Sequence, residues 1–144
     1  MIEPIRDVDA LKALNANIVD QFRANAGKVG DQFEEADLLL LTTTGAKSGH
    51  RRLNPLQYIR HRGAMLVVGA YAGADVDPAW VHNLRTHPRA HVEVGTDSID
   101  VIARELPPAE RSHVWAQIID AEPGFAEFQA RTSRVLPVFQ LRPV

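Results

Sequence analysis

Leu38–Tyr58 reads LLLLTTTGAKSGHRRLNPLQY, and the fold is decided by how this stretch is parsed. An unbroken leucine run passes into Thr42, Thr43 and Thr44, the composition of a buried strand. Gly45, Ala46, Lys47, Ser48, Gly49, His50, Arg51 and Arg52 then form a basic loop punctuated by glycine. An extended segment resumes at Leu53 and runs through Leu56, Tyr58 and Ile59 toward Arg62. The parse is strand, basic turn, strand. Such a turn collects backbone N–H groups, a lysine, a serine hydroxyl and two arginines in one place, which suits an anion such as a phosphate.

On the N-terminal side, Val8, Leu11, Leu14, Ile18, Val19 and Phe22 recur at helical spacing. They predict an amphipathic helix over about residues 7–25, stopped near Gly27. A polar connection, Gly27 to Asp37, leads into the leucine strand. On the C-terminal side, His61-Arg62-Gly63 predicts a hairpin turn into a valine-rich strand, Met65 to Tyr71. Gly69 to Ala74 is a small-residue stretch over which a ligand can approach the backbone closely. Asp77 followed by Pro78 predicts a helix start, with Asp77 as cap, and the helix ends before Pro88. Strands over Ala90–Gly95 and Ser98–Leu106 form a hairpin. A helix opens at Pro107-Pro108 and runs through Ile119, a short helix follows Pro123-Gly124, and a last strand spans Val135 to Leu141. Hairpins dominate and βαβ crossovers are lacking. The expected class is α+β, mainly β: about six mostly antiparallel strands in a small barrel with flanking helices, one domain over residues 1–144.

Composition narrows function by exclusion. The net charge of −2 gives no global basic field for nucleic acid, so anion recognition must be local. The absence of cysteine removes disulfides, thiolate metal sites and thiol chemistry, and fits a cytoplasmic protein. No apolar run reaches the roughly 18 residues needed to span a bilayer. The charged N-terminus lacks a leader-like apolar stretch. The basic loop is not a P-loop, because Ala46 precedes Lys47 and a strand follows. Gly69-Ala70-Tyr71-Ala72-Gly73 is not a dinucleotide fingerprint. The histidines have no metalloprotease spacing, and no nucleophile elbow is present.

Four stretches taken together carry a resemblance: residues 38–58, the valine strand with its small loop (67–74), DPAWVHNLRTHPRAHVEVG (77–95) and EPGFAEFQARTSRVLPVFQLRP (122–143). Their order is similar to that of the deazaflavin-dependent nitroreductase and F420H2-dependent quinone reductase family. The combination of TTTG-x-KSG-x-x-R-x-NP with PAW-x-x-NL is what makes the likeness specific. It implies a split β-barrel of the flavin-reductase kind. It further implies coenzyme F420, a deazaflavin with a phosphodiester and a polyglutamate tail whose reduced form donates hydride to a quinone, enone or nitro compound. Carried onto this chain, the phosphate and tail fall to Lys47, Ser48 and Arg52. The remaining coenzyme contacts fall to Leu53, Asn54, Pro55, Leu56 and Gln57, to Val68, Gly69, Ala70 and Tyr71, and to Ala79, Trp80 and Asn83. Phe125 is expected to wall the acceptor pocket, with Phe128 packing inward.

The chain departs from the family pattern at Ala46, where Arg or Lys is usual, and at Ala70-Tyr71, where many members have Ser-Lys. Phe125 and Phe128 stand where the best-known nitro-reducing member has tyrosines, so no phenol is present to donate a proton there. Two further readings stand beside the reductase: an FMN-binding oxidoreductase on a similar barrel, and a deazaflavin-binding protein without catalysis. The expected state is a monomer or homodimer, with no nucleic-acid partner. The amphipathic N-terminal helix leaves peripheral membrane contact open.

Overall fold

The computed structural model describes residues 8–30 and 37–144. The expected helix start at Asp7 and most of the polar connection, residues 31–36, lie outside them. The elements are α1 (Val8–Ala24), β1 (Leu38–Thr44), β2 (Arg51–Gln57), β3 (Ile59–His61), β4 (Ala64–Val68), α2 (Ala79–Thr86), β5 (Arg89–Val94), β6 (Asp97–Glu105), α3 (Pro108–Ala121), α4 (Gly124–Ala130) and β7 (Val138–Pro143).

The strands form one sheet in the order β2-β1-β5-β6-β7-β4-β3, and every pairing is antiparallel. Its edges, β2 and β3, are consecutive in the chain and separated only by Tyr58. The sheet is therefore curled: one long extended segment pairs with β1 by its first half and with β4 by its second. The strand expected over Leu53–Arg62 thus starts at Arg51 and bends at Tyr58. Pro55 is tolerated in β2 because an edge strand has one row of N–H groups without ladder partners.

Alternation sorts the side chains. Leu39, Leu41, Val67, Val92, Val101 and Phe139 point inward and are buried, and α2 closes this interior with Trp80, Val81 and Leu84. On the outer face, Leu38, Leu40 and Leu53 receive Ile18, Val19 and Phe22 of α1. Leu66, Val68 and Val138 receive Val114 and Ile118 of α3 and Phe125 of α4.

Three local expectations are corrected. The valine strand stops at Val68 rather than Tyr71, because residues 71–73 turn into a 3-10 segment with Tyr71 and Ala72 at positive φ. The last strand begins at Val138, since Pro137 lacks the N–H a ladder needs. Asp77 does not cap α2. Pro78 holds the cap position with no side-chain bond, and the Asp77 carboxylate is drawn to arginines instead.

Candidate functional site

The basic turn is closed by its own backbone. The Gly45 N–H donates to the His50 carbonyl at 2.7 Å, and the Gly49 N–H to the Gly45 carbonyl at 2.9 Å. A Cβ on Gly45 would sit 2.5 Å from Ser48 Oγ and 3.2 Å from the His50 carbonyl oxygen, so a larger residue would displace the Ser48 hydroxyl from the turn. The Ser48 hydroxyl accepts from the His50 N–H at 3.1 Å.

Asn83 of α2 fixes the turn to the core. Its Oδ1 accepts from the Ala46 N–H at 2.9 Å, and its Nδ2 donates to Thr43 Oγ1 at 3.0 Å. Both side chains are buried, and each satisfies the other's polar atom at little solvation cost. Arg52 is the cross-strand partner of Thr43, so it lies on the same sheet face as this pin. Lys47, Ser48 and Arg52 are exposed. Among the described residues neither Lys47 nor Arg52 has a hydrogen-bond or ion-pair partner. The turn therefore presents two uncommitted cations and a serine hydroxyl on a rigid base, which is the donor set an anion needs.

The small-residue loop after β4 is held from outside by an arginine that the sequence patterns did not single out. Arg134 donates from Nη1 to the Gly69 carbonyl at 2.9 Å and to Asp77 Oδ1 at 2.8 Å. Its Nη2 donates to the Ala70 carbonyl at 2.8 Å, and its Nε to the Ala74 carbonyl at 2.8 Å. Arg131 Nη1 adds a bond to the Ala72 carbonyl at 3.0 Å. Asp77 also accepts from Arg85 at 3.3 Å, and Arg85 pairs with Glu105 at 2.8 Å. This last bond holds the Glu105 carboxyl below its ordinary range, against a smaller opposing effect of burial. The chain Glu105–Arg85–Asp77–Arg134 links β6, α2, the loop and the segment before β7. Gly73 lies against α4, where a Cβ would meet the Phe128 carbonyl oxygen and Arg131 Cβ at 2.8 Å.

α2 sits between the basic turn and this loop. It touches the turn through Asn83, and its Val81 packs so close to Gly69 that a Cβ there would be 2.8 Å from Val81 Cγ2. The basic turn and the small-residue loop thus both abut α2, but the expected site residues do not all face the same way. Arg52, Asn54 and Leu56 lie opposite Thr43, Leu41 and Leu39, on the inner face. Leu53, Pro55 and Gln57 lie opposite Thr42, Leu40 and Leu38, on the outer face that receives α1. Val68 packs into the α3–α4 cluster. Ala79 is exposed, whereas Trp80 is 3% exposed and packs edge-on against Phe139 at 5.9 Å. Tyr71 is half-buried at the head of the loop. Phe125 is buried, and its edge-to-face neighbour Phe128, 6.2 Å away, is the half-buried member of the pair.

The sequence from residue 15 to 143 matches the model of the F420H(2)-dependent quinone reductase family. The chain belongs to that family. An F420H(2)-dependent quinone reductase of Mycobacterium tuberculosis is 34% identical over 125 residues, covering 83% of this chain and 83% of its own. Among solved structures, an F420-H2 dependent reductase, FDR-A, is 37% identical with a TM-score of 0.66, over 74% of this chain and 94% of its own. Another, described as a domain-swapped dimer, is 32% identical with a TM-score of 0.67, over 93% of this chain and 94% of its own. As a member of the F420H(2)-dependent quinone reductase family, this protein is an oxidoreductase. Among the described residues no helix is long and apolar enough to cross a membrane.

The roles of Arg134 and of Thr43, as partner of Asn83, escaped the sequence patterns for one reason. Their partners lie tens of residues away, and nothing local marks an arginine as a fork for three carbonyls.

Proposed function

We propose that this protein reduces a quinone with coenzyme F420H2, and that the turn pinned by Asn83 is where the coenzyme's phosphate is held. The observation that carries this is the pair of uncommitted cations, Lys47 and Arg52, on a turn whose Ala46 N–H is anchored in the core. Lys47, Arg52 and Ser48 bind the phosphate. Asn54 and Leu56 on the inner face, with Gly69, Ala70 and Tyr71 across α2, border the ring, and Ala79 lies at the open start of the helix. Trp80 and Asn83 support this floor from within. Leu53, Pro55, Gln57 and Val68 act through packing.

When bound, the reduced coenzyme supplies the hydride, and a proton from water completes the two-electron reduction of quinone to hydroquinone. The chain's own contribution is orientation and charge: it fixes the anionic end so that the ring is presented in one pose. Quinones are favoured over nitro compounds because Phe125 and Phe128 carry no phenol to protonate a nitro oxygen. F420 is favoured over FMN because the matching family and the relatives above are named for F420H(2). The domain-swapped relative supports a homodimer, and the reaction is assigned to the cytoplasm.

Fluorescence titration with F420 and, separately, FMN tests the cofactor, followed by F420H2 oxidation with menadione. Selective F420 binding and quinone-dependent oxidation are expected. Lys47→Ala should weaken F420 binding about tenfold, the loss of one charge-assisted contact, while turnover at saturation changes little. Equal F420 affinity in wild type and variant, or binding of FMN alone, would refute the assignment.

A further inference from the structure

The basic turn sends its two arginines to opposite faces of the sheet. Arg52 joins Thr43 on the inner face, whereas Arg51 pairs with Thr44 on the outer face. Thr42 pairs with His91 on the other side of β1, and continuing that register by two residues brings Arg89 level with Thr44. Arg51, Thr44 and Arg89 therefore form one row across three adjacent strands. Neighbouring strands are about 4.8 Å apart, so the two guanidinium arms rise on either side of a threonine hydroxyl. The row lines a cavity of about 210 Å³, beyond the part of the outer face where α1 packs. This is room for an oxyanion together with water.

Charge makes the row informative. Two cations share one small concavity, and among the described residues neither has a hydrogen-bond or ion-pair partner. The other ionisable side chains of the cavity, His91 and Asp100, are hydrogen-bonded to each other, with Nδ1 and Oδ1 2.8 Å apart. His91 Nε2 is also taken, by Ser98 Oγ. Among the described residues Asp100 makes no ion pair with either guanidinium. Two strand spacings hold the guanidinium arms about 10 Å apart at their base, and an anion seated between them is drawn to both.

We propose that Arg51, Thr44 and Arg89 form an anion site on the outer face of the sheet, separate from the coenzyme groove, that takes a phosphate or carboxylate group. Each arginine offers a planar fork to the oxyanion, and the Thr44 hydroxyl donates between them. The site does not depend on what binds the inner face.

The test is a titration of the full-length, nitrogen-15-labelled protein, followed through the arginine Nε–Hε resonances. Inorganic phosphate and succinate are added in separate arms, each against chloride at equal ionic strength. Saturable shifts of Arg51 and Arg89 with phosphate alone would identify a phosphoryl ligand, and shifts with succinate a carboxylate; either supports the site. Arg89→Met should weaken the responding anion about tenfold or more, since a charge-assisted contact to the ligand is lost. Arg51→Met gives the same reading should Arg89→Met fail to fold. The inner-face variant Arg52→Met should leave the shifts unchanged. Non-saturable shifts, equal shifts with chloride, or undiminished binding in both outer-face variants would overturn the proposal.

Discussion

Replacing Arg134 by alanine removes four hydrogen bonds at once: three to the carbonyls of Gly69, Ala70 and Ala74 and one to Asp77. The side chains of Arg134 and Asp77 are only 15% and 19% exposed, so these contacts are not the screened surface kind. A hydrogen bond from a charged donor contributes about 1.5–3 kcal/mol, and the naive total would be about 6–12. Much of that is recovered. The loop lies near solvent at exposed Asp75 and Val76, so its carbonyls regain water, and Asp77 keeps Arg85 at 3.3 Å. Removing one partner of a largely buried pair usually costs about 3–5 kcal/mol, and the lower end applies here. We expect Arg134→Ala to lose about 3 kcal/mol in urea unfolding, or about 6–12 °C in Tm for a chain of this size. Arg134→Lys keeps the charge for Asp77 but cannot fork to three carbonyls, and should fall between the two. Hydrogen exchange should accelerate first in residues 69–77, where Tyr71 and Ala72 hold positive φ and relax once the fork is gone. A loss under about 1 kcal/mol, or faster exchange spread evenly over the sheet, would show that the loop is held by packing alone.

Other outcomes follow from the same geometry. Asn83→Ala strips the bonds to Thr43 and Ala46 and should cost about 2 kcal/mol by denaturant unfolding, with weaker F420 binding from a loosened turn. Gly73→Ala places a Cβ 2.8 Å from the Phe128 carbonyl oxygen at φ +82°, and should cost at least about 1 kcal/mol in the same assay. Glu93 accepts from Arg23 at 2.8 Å, and this bond holds its carboxyl below the ordinary value of 4.5, against a smaller effect of burial. The pair is partly exposed, so Glu93→Gln should cost under about 1 kcal/mol at neutral pH. Because the folded value is depressed, that stability is present above the ordinary value and is lost as pH falls through the lower one. Wild type and Glu93→Gln should therefore converge in acid, and a gap that persists there would contradict the ion pair.

The local grammar of this fold is legible in the chain. Leu38–Thr44 is a strand in both the sequence and the structure, because a continuous apolar run needs no distant partner to be recognised. The N-terminal helix, the Arg62-Gly63 turn and the β5–β6 hairpin are equally local, each set by spacing or by a residue that tolerates positive φ. The basic turn is visible for the same reason, and so is the family likeness. What lay beyond the sequence was set by pairing at long range. The extended segment from Arg51 bends at Tyr58 because its halves, β2 and β3, pair with β1 and β4 and so form the two edges of a curling sheet.

Pairing with β1 sorts the segment 53–57, expected as one coenzyme strip, by alternation into Asn54 and Leu56 inside and Leu53, Pro55 and Gln57 outside. The sequence has Phe125 walling a pocket and Phe128 packing inward, but the fold does the reverse, burying Phe125 of α4 against α3 and the sheet and leaving Phe128 half-buried. Asp77 reads as a helix cap in the sequence, yet in the fold an arginine 57 positions away takes its carboxylate. Sequence alone determined the elements, their order and the chemistry of the turn, because those depend on residues within a few positions of each other. Tertiary structure decided which side chains share a face and which charges are already spent, because burial and pairing exist only once distant segments meet.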